Sequence, residues 1–209
     1  MVDYRHSPAM FIADAPGLDF LNSVATPVDE VVDWIRDGEG LLNWLAQSGL
    51  VSADVLKAVK ERAVPGELDR VADQARGLRE WFRSFARSHM GRPLTPEMLE
   101  ELRPLNTLLE RDEAFSQLVL AQGDGSSGLA LQATRRWRSP ESLLLPIAEA
   151  LAKLVCQEDF TYVKACEGQD CTLMFADHTK RRARKWCSMA ACGNRAKQAA
   201  HRSRLKAHV

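Results

Sequence analysis

CEGQDCTLMFADHTKRRARKWCSMAAC, residues 166–192, sets four cysteines at the spacing C-x4-C-x15-C-x4-C. Two pairs of thiolates, each separated by a short loop, can converge on one tetrahedral ion. Zinc suits that donor set because it accepts sulfur readily and is satisfied by a closed four-ligand shell. Lys164, Lys180, Arg181, Arg182 and Lys185 surround the cysteines and would offset the double negative charge of a zinc–tetrathiolate centre. By spacing alone, disulfides and an iron–sulfur cluster remain competitors. The first residues, MVDYRHSPAM, lack the basic-then-apolar-then-small pattern of a secretory signal, so a reducing compartment, the cytoplasm, is expected and disulfides are disfavoured. The fifth cysteine, Cys156, stands apart on an apolar helix pattern and reads as a small buried hydrophobe.

Outward from the cysteines, FTYVKAC (160–166) alternates like a strand and TLMF (172–175) reads as its return. Ser188 is placed to cap a helix running from about Ala190 to Lys206, a stretch free of proline and acid. On that helix Ala196, Ala199, Ala200 and Ala207 make a small-residue face for close packing. Arg195, Gln198, Arg202 and Lys206 line one flank, and Lys197, His201 and Arg204 another. Such a helix can track phosphates and present Arg or Gln to base edges. Arg181, Arg182, Arg184 and Lys185, with Trp186, add a basic and aromatic shoulder. The candidate nucleic-acid contacts are therefore Arg181, Arg182, Arg184, Lys185, Arg195, Lys197, Gln198, Arg202 and Lys206. The plain alternative is a solvated helix whose charges serve solubility.

The whole chain of 209 residues hides this bias, because 28 basic and 28 acidic residues sum to zero. Residues 160–209 carry a net +8, and residues 1–159 a net −8. From His178 onward there are ten Lys/Arg and no acid. A basic module for a polyanion, attached to an acidic body, fits that split. The body could also cover the basic helix until a signal releases it. A composition 45% hydrophobic and 27% charged is that of a globular chain. The longest uncharged run, Gly40 to Ala53, is too short and polar to span a membrane, so no membrane partner is expected.

The string MFADHTKRRARKWCSMAACGNRAKQAAHRSR (174–204), with the preceding cysteine pair, resembles the CGNR zinc finger, named for the motif found here at Cys192-Gly193-Asn194-Arg195. The match includes Trp186-Cys187-Ser188-Met189 and Ala196-Lys197. It implies one structural zinc on Cys166, Cys171, Cys187 and Cys192, and a DNA-binding element of bacterial transcription regulators. His178 is read as no ligand, since four thiolates already close the shell. Gly193 would serve a close backbone approach or a positive φ. Asn194 would bond local backbone or a thiolate. Arg195 would reach a phosphate or brace Asp177, and Trp186 would plug a small core.

Residues 1–155 read as mostly helical. Helices are expected over Glu39–Gln47, over Ser52–Ala63 with Ser52 as cap, and over Glu67–His89, where Leu68, Val71, Ala75, Leu78, Phe82 and Phe85 recur at helical spacing. Thr95-Pro96-Glu97 opens another, running to about Arg111 with a kink at Pro104, and Glu141–Cys156 forms one bent at Pro146. Phe115–Ala121 and Gly128–Trp137 flank a Gly/Ser turn and read as a β-hairpin. In Gly17-Leu18-Asp19-Phe20-Leu21-Asn22-Ser23, Asp19 and Asn22 interrupt an apolar stretch. They could form a polar ligand site in an apolar cavity, or bond the backbone at a helix start.

That stretch, with Leu41-Leu42-Asn43-Trp44-Leu45, resembles the N-terminal domain called ABATE, or stress-induced-transcription-regulator-like, commonly fused to CGNR fingers. The expected organisation is a mostly helical ABATE-like sensor domain over 1–157 and a CGNR finger over 158–209. The expected fold is mainly α with a small β-hairpin (α+β), ending in a treble-clef-like four-cysteine zinc finger with a basic helix. No GxGxxG, P-loop, GxSxG or HExxH occurs, and no histidine forms a dyad by spacing, so no enzymatic activity is expected. The leading reading is a cytoplasmic DNA-binding regulator with a small-molecule or protein effector and a homodimer as a candidate assembly. An RNA-binding factor and a zinc-dependent protein–protein module are the alternatives.

Overall fold

A computed structural model describes residues 8–26, 31–121 and 128–206. About half of the chain is helical, and among the described residues the strands form three separate antiparallel pairs. The central element is α4 (Glu67–His89), the helix expected from the spacing of its apolar residues. Val71, Ala75 and Phe82 on its inner face are fully buried. Helix α2 (Gly38–Ser48) packs along it and begins where the Asp37 carboxylate accepts from the Gly40 N–H at 2.8 Å. Short α1 (Pro16–Leu21) lies across α6 (Leu144–Gln157), while α3 (Ala53–Arg62) and α5 (Arg103–Leu109) flank the bundle.

Two prolines act differently from the sequence expectation. Instead of one helix kinked at Pro104, the chain makes a 3-10 turn over Pro96–Leu99 and starts α5 afresh at Arg103. Instead of one helix bent at Pro146, a 3-10 turn spans Pro140–Leu143 and α6 starts at Leu144. Proline has no N–H to give and clashes with the carbonyl one turn back, so each ring ends up in a first turn, where neither matters. Cys156 is also a correction: it is exposed, not buried. The buried side of α6 passes through Ile147, Leu151 and Leu154, and two further residues turn the helix by about 200° toward solvent.

Strands β1 (Val24–Ala25) and β2 (Val32–Asp33) form a small ladder held to α4 by Arg79. That guanidinium is 3% exposed and donates to both Asp33 carboxylate oxygens at 2.8 and 2.7 Å and to the Ser23 hydroxyl at 3.0 Å. Strands β3 (Ala114–Leu120) and β4 (Leu129–Arg135) make the expected hairpin, with Leu118 facing Leu131 and Leu120 facing Leu129. Its Gly123–Ser127 turn lies outside the described residues. Arg135 ties the hairpin's base to α6 through Glu149 at 2.6 Å.

The last strand pair, β5 (Val163–Ala165) and β6 (Met174–Ala176), is built into the body. Ala176 N–H donates to the Ala13 carbonyl at 2.9 Å, and Gly91 N–H donates to the Phe160 carbonyl at 2.8 Å. Val163, Met174 and Phe175 share one hydrophobic core with Leu18, Phe82 and Leu151. The chain changes composition near residue 158, yet the packing runs through that point without a break. From this core the segment Met189–Gly193, a single wide turn, leads into α7 (Asn194–Lys206).

Candidate metal centre and nucleic-acid interface

Each cysteine is delivered by a short, locally determined piece of backbone. Cys166 continues β5, its N–H donating to the Leu173 carbonyl at 2.9 Å, and a tight turn from Gly168 brings back Cys171. Glu167 N–H donates to the Lys185 carbonyl at 2.8 Å, laying the second cysteine segment beside the first. Ser188 caps the last turn as expected, its hydroxyl accepting from Ala191 N–H at 3.2 Å. Its carbonyl accepts from the N–H groups of Cys192 and Gly193.

The four sulfurs, Cys166, Cys171, Cys187 and Cys192, lie within 4.8 Å of one another. Cys187 Sγ is 3.9 Å from Cys171 Sγ and 3.6 Å from Cys192 Sγ. A tetrahedron with zinc–sulfur bonds of about 2.3 Å has sulfur–sulfur edges of about 3.8 Å. Donors surround the cluster as thiolates require: Cys187 N–H reaches Cys166 Sγ at 3.2 Å, Gly168 N–H reaches it at 3.4 Å, and Arg195 Nη2 reaches Cys192 Sγ at 3.5 Å. A Cβ on Gly168 would sit 2.8 Å from Cys192 Sγ, so only glycine leaves the cluster its space. Gly193 serves a close approach: a Cβ there would meet Met189 Sδ at 2.7 Å.

Close approach shifts three of the thiols. The hydrogen bond with Cys187 pulls Cys171 down to about 5, whereas Cys187 is pushed up by that same bond and by burial. Burial and the Cys171 charge raise Cys192 to about 11. A divalent cation is what allows four such neighbours to ionise together. The cysteine set therefore fits one structural zinc, held by four side chains with no position left for substrate.

Asp177 organises the loop between the cysteine pairs, a role the sequence reading missed. It is fully buried and accepts from Lys164 Nζ at 2.7 Å, Thr179 Oγ1 at 2.6 Å, Thr179 N–H at 3.0 Å and Arg184 N–H at 2.9 Å. Burial opposes its charge, but these donors prevail and hold the carboxyl well below the usual range. The available signal was its isolation: it is the last acid before a wholly basic tail.

The candidate nucleic-acid residues separate into two groups. Arg184 is half-buried and committed: it donates to the Trp186 carbonyl at 3.0 Å and the Ile12 carbonyl at 2.9 Å, bonds Asp14 and the Cys187 carbonyl, and lies 4.2 Å over the Phe175 ring. Arg182 bonds the Asp177 carbonyl and covers Tyr162 at 4.4 Å, with its own carbonyl accepting from Lys164 Nζ. Lys185 is exposed beside Glu167 at 3.1 Å. Arg181, Lys197, Gln198 and Arg202 are exposed, and Arg195, also exposed, holds Cys192 Sγ and the Ala191 carbonyl. Lys206 is the last residue of α7. The acidic body does not cover the exposed positions of α7; the helix packs chiefly on its own entry turn.

Asp19 and Asn22 both bond backbone. Asn22, fully buried, donates from Nδ2 to the Met174 carbonyl at 2.8 Å and accepts from Met174 N–H at 3.0 Å, stapling α1 to β6. Asp19 accepts from Ala13 N–H at 3.0 Å, and burial raises its carboxyl to about 6. Neither lines the cavity of about 790 Å³ found between α1, α6 and the β3–β4 hairpin. That cavity has apolar walls from Pro16, Val51, Trp137 and Leu154, with Arg135 and Glu149 among its polar groups. Glu158, which also lines it, lies 2.7 Å from His178 Nε2 in the loop between the cysteine pairs.

Comparison with known families gives two matches. Residues 14–158 match ABATE, described as "Putative stress-induced transcription regulator", and residues 162–205 match the CGNR zinc finger. No curated protein matches the chain. Both families are of regulator and zinc-finger type. Among the described residues no helix is long and apolar enough to cross a membrane.

Proposed function

The chain belongs to the ABATE family and ends in a CGNR zinc finger, and from that premise we propose that it is a DNA-binding transcription regulator. The finger contacts DNA through α7, and the N-terminal helical domain takes up a signal. One observation carries the reading: an acid-free basic helix projects, uncovered at Lys197, Gln198 and Arg202, from a turn fixed by the metal centre. Lysine and arginine on such a helix neutralise phosphates, and an exposed glutamine can bond an adenine edge. Because Cys192 sits in the turn that opens α7, zinc sets the direction in which the helix points. For the signal, the cavity beside α1 and α6 has the volume of a small-molecule site, within the usual range of about 300–1,000 Å³.

The test is DNA binding across a salt series, with the wild type and a Lys197→Ala, Arg202→Ala variant. Wild-type affinity should fall steeply with salt, and the variant's log–log slope should be shallower by about 2, one for each phosphate no longer neutralised. Genomic pull-down with sequencing of the bound nucleic acid should return discrete DNA sites. RNA in that pool would move the reading to an RNA-binding factor. Binding that ignores salt and both substitutions would point to a protein-docking module.

A further inference from the structure

Of the large hydrophobic residues left exposed, four sit together on the β3–β4 hairpin, and we infer that this face joins two copies of the chain about a two-fold axis. Leu118, Leu120, Leu129 and Leu131 are 69%, 77%, 71% and 71% exposed. The register places Leu118 opposite Leu131 and Leu120 opposite Leu129, so all four point to the same side of the ladder. The hairpin is a two-stranded sheet by itself, which is marginal in water unless another layer covers its apolar side. The hairpin meets the body at its base, where Gln132 and Thr134 on the reverse side and Ala133 and Arg135 on the leucine side line the cavity, while the four leucines lie beyond it toward the turn.

Charge argues for a second copy as the occupant. In a two-fold interface a patch meets itself, so any charge near the axis faces its own like. From Ala114 to Leu120 and from Leu129 to Thr134 the strands carry no charge, whereas residues 1–159 together carry −8. The leucine face is thus a place where two acidic bodies can meet without repulsion. Area agrees. Four leucines exposed to this degree amount to roughly 500 Å², near the top of what monomers tolerate in one patch. Doubled by symmetry, that reaches the roughly 1,000 Å² a specific interface needs. Two hairpins face to face would form a two-layer sandwich with the leucines between them. None of this depends on what α7 binds.

Light scattering and sedimentation equilibrium on the full chain, from about 1 to 100 μM, read the assembly directly. The wild type should shift from the 23.3 kDa chain mass toward twice that value with concentration. Leu118→Thr with Leu131→Thr keeps strand-forming side chains while removing apolar area, and should weaken self-association at least about 100-fold. Circular dichroism and one zinc per chain should be unchanged in that variant. If the double variant does not fold, Leu120→Gln alone supplies the same comparison. A wild type that stays at the chain mass throughout overturns the proposal, even where the patch then carries the protein onto lipid vesicles. A folded variant that dimerises like the wild type overturns it equally.

Discussion

The metal knuckles and the basic helix are neighbours in sequence and opposites in environment. Cys166, Cys187 and Cys192 are buried and belong to the same core as Phe82 and Leu151. Along α7, Lys197, Gln198 and Arg202 are exposed, and the helix packs chiefly on its own entry turn. Zinc ligation therefore supports the whole fold, while the helix it launches is available to a partner. Substitutions in the knuckles should register as stability, and substitutions on the exposed flank of α7 as binding alone.

The largest effect should come from breaking the metal site. Structural zinc contributes about 10–16 kcal/mol in small fingers, as much as the total stability of many domains. Read as a sequence, the chain suggests that losing Cys187 unfolds only the last 45 or so residues. The shared core alters that expectation: Cys187→Ser should abolish zinc binding and lower the melting temperature of the α-helical body as well, measured by circular dichroism. An unchanged body melt would restore the picture of two independent units.

Smaller but still clear losses should follow from the two clasps between finger and body. Arg184→Ala removes bonds to Asp14 and to the carbonyls of Ile12, Trp186 and Cys187, and should cost about 3 kcal/mol by denaturant unfolding. Asn22→Ala strands the buried Met174 N–H and carbonyl and should cost about 2 kcal/mol. Lys197→Ala, on the exposed helix, should stay within about 0.5 kcal/mol of wild type. If Arg184→Ala proves equally mild, Arg184 returns to the set of candidate DNA contacts.

The mildest distinction is in pH. Asp177 has a lowered folded pKa, so its stabilisation is present above the unfolded carboxylate value of about 4 and is lost as pH falls through the folded value. Asp19, raised to about 6, has the opposite sign: the folded state holds its proton longer, so stability declines as pH rises from about 4 to 6. Stability measured across pH should lose the first dependence in Asp177→Asn and the second in Asp19→Asn. The absence of any change in slope with either variant would refute these assignments.

Features set by near neighbours were legible in the sequence. The four-cysteine spacing, the α4 periodicity, the Ser188 cap and the leucine-bearing hairpin all depend on residues within a few turns or one short loop. The prolines were recognised as breaks, but whether each bends a helix or starts one depended on the packing of the preceding segment. Cys156 was placed on the wrong side because the apolar pattern of α6 continues past its last buried residue, Leu154. Arg182 and Arg184 looked equivalent to the residues around them, since composition records charge and not the carbonyls a guanidinium finds.

By itself, then, the sequence determined that four thiolates are spaced to meet, and the sign of the tail: cysteine spacing and the absence of acid are local and survive any folding. Tertiary structure decided which cations remain for a partner, and it made finger and body one core. Those outcomes rest on pairs such as Asn22 with Met174, 152 residues apart, and Arg184 with Ile12, 172 apart. Burial brings these groups together, and buried polar groups must then satisfy one another because water no longer reaches them.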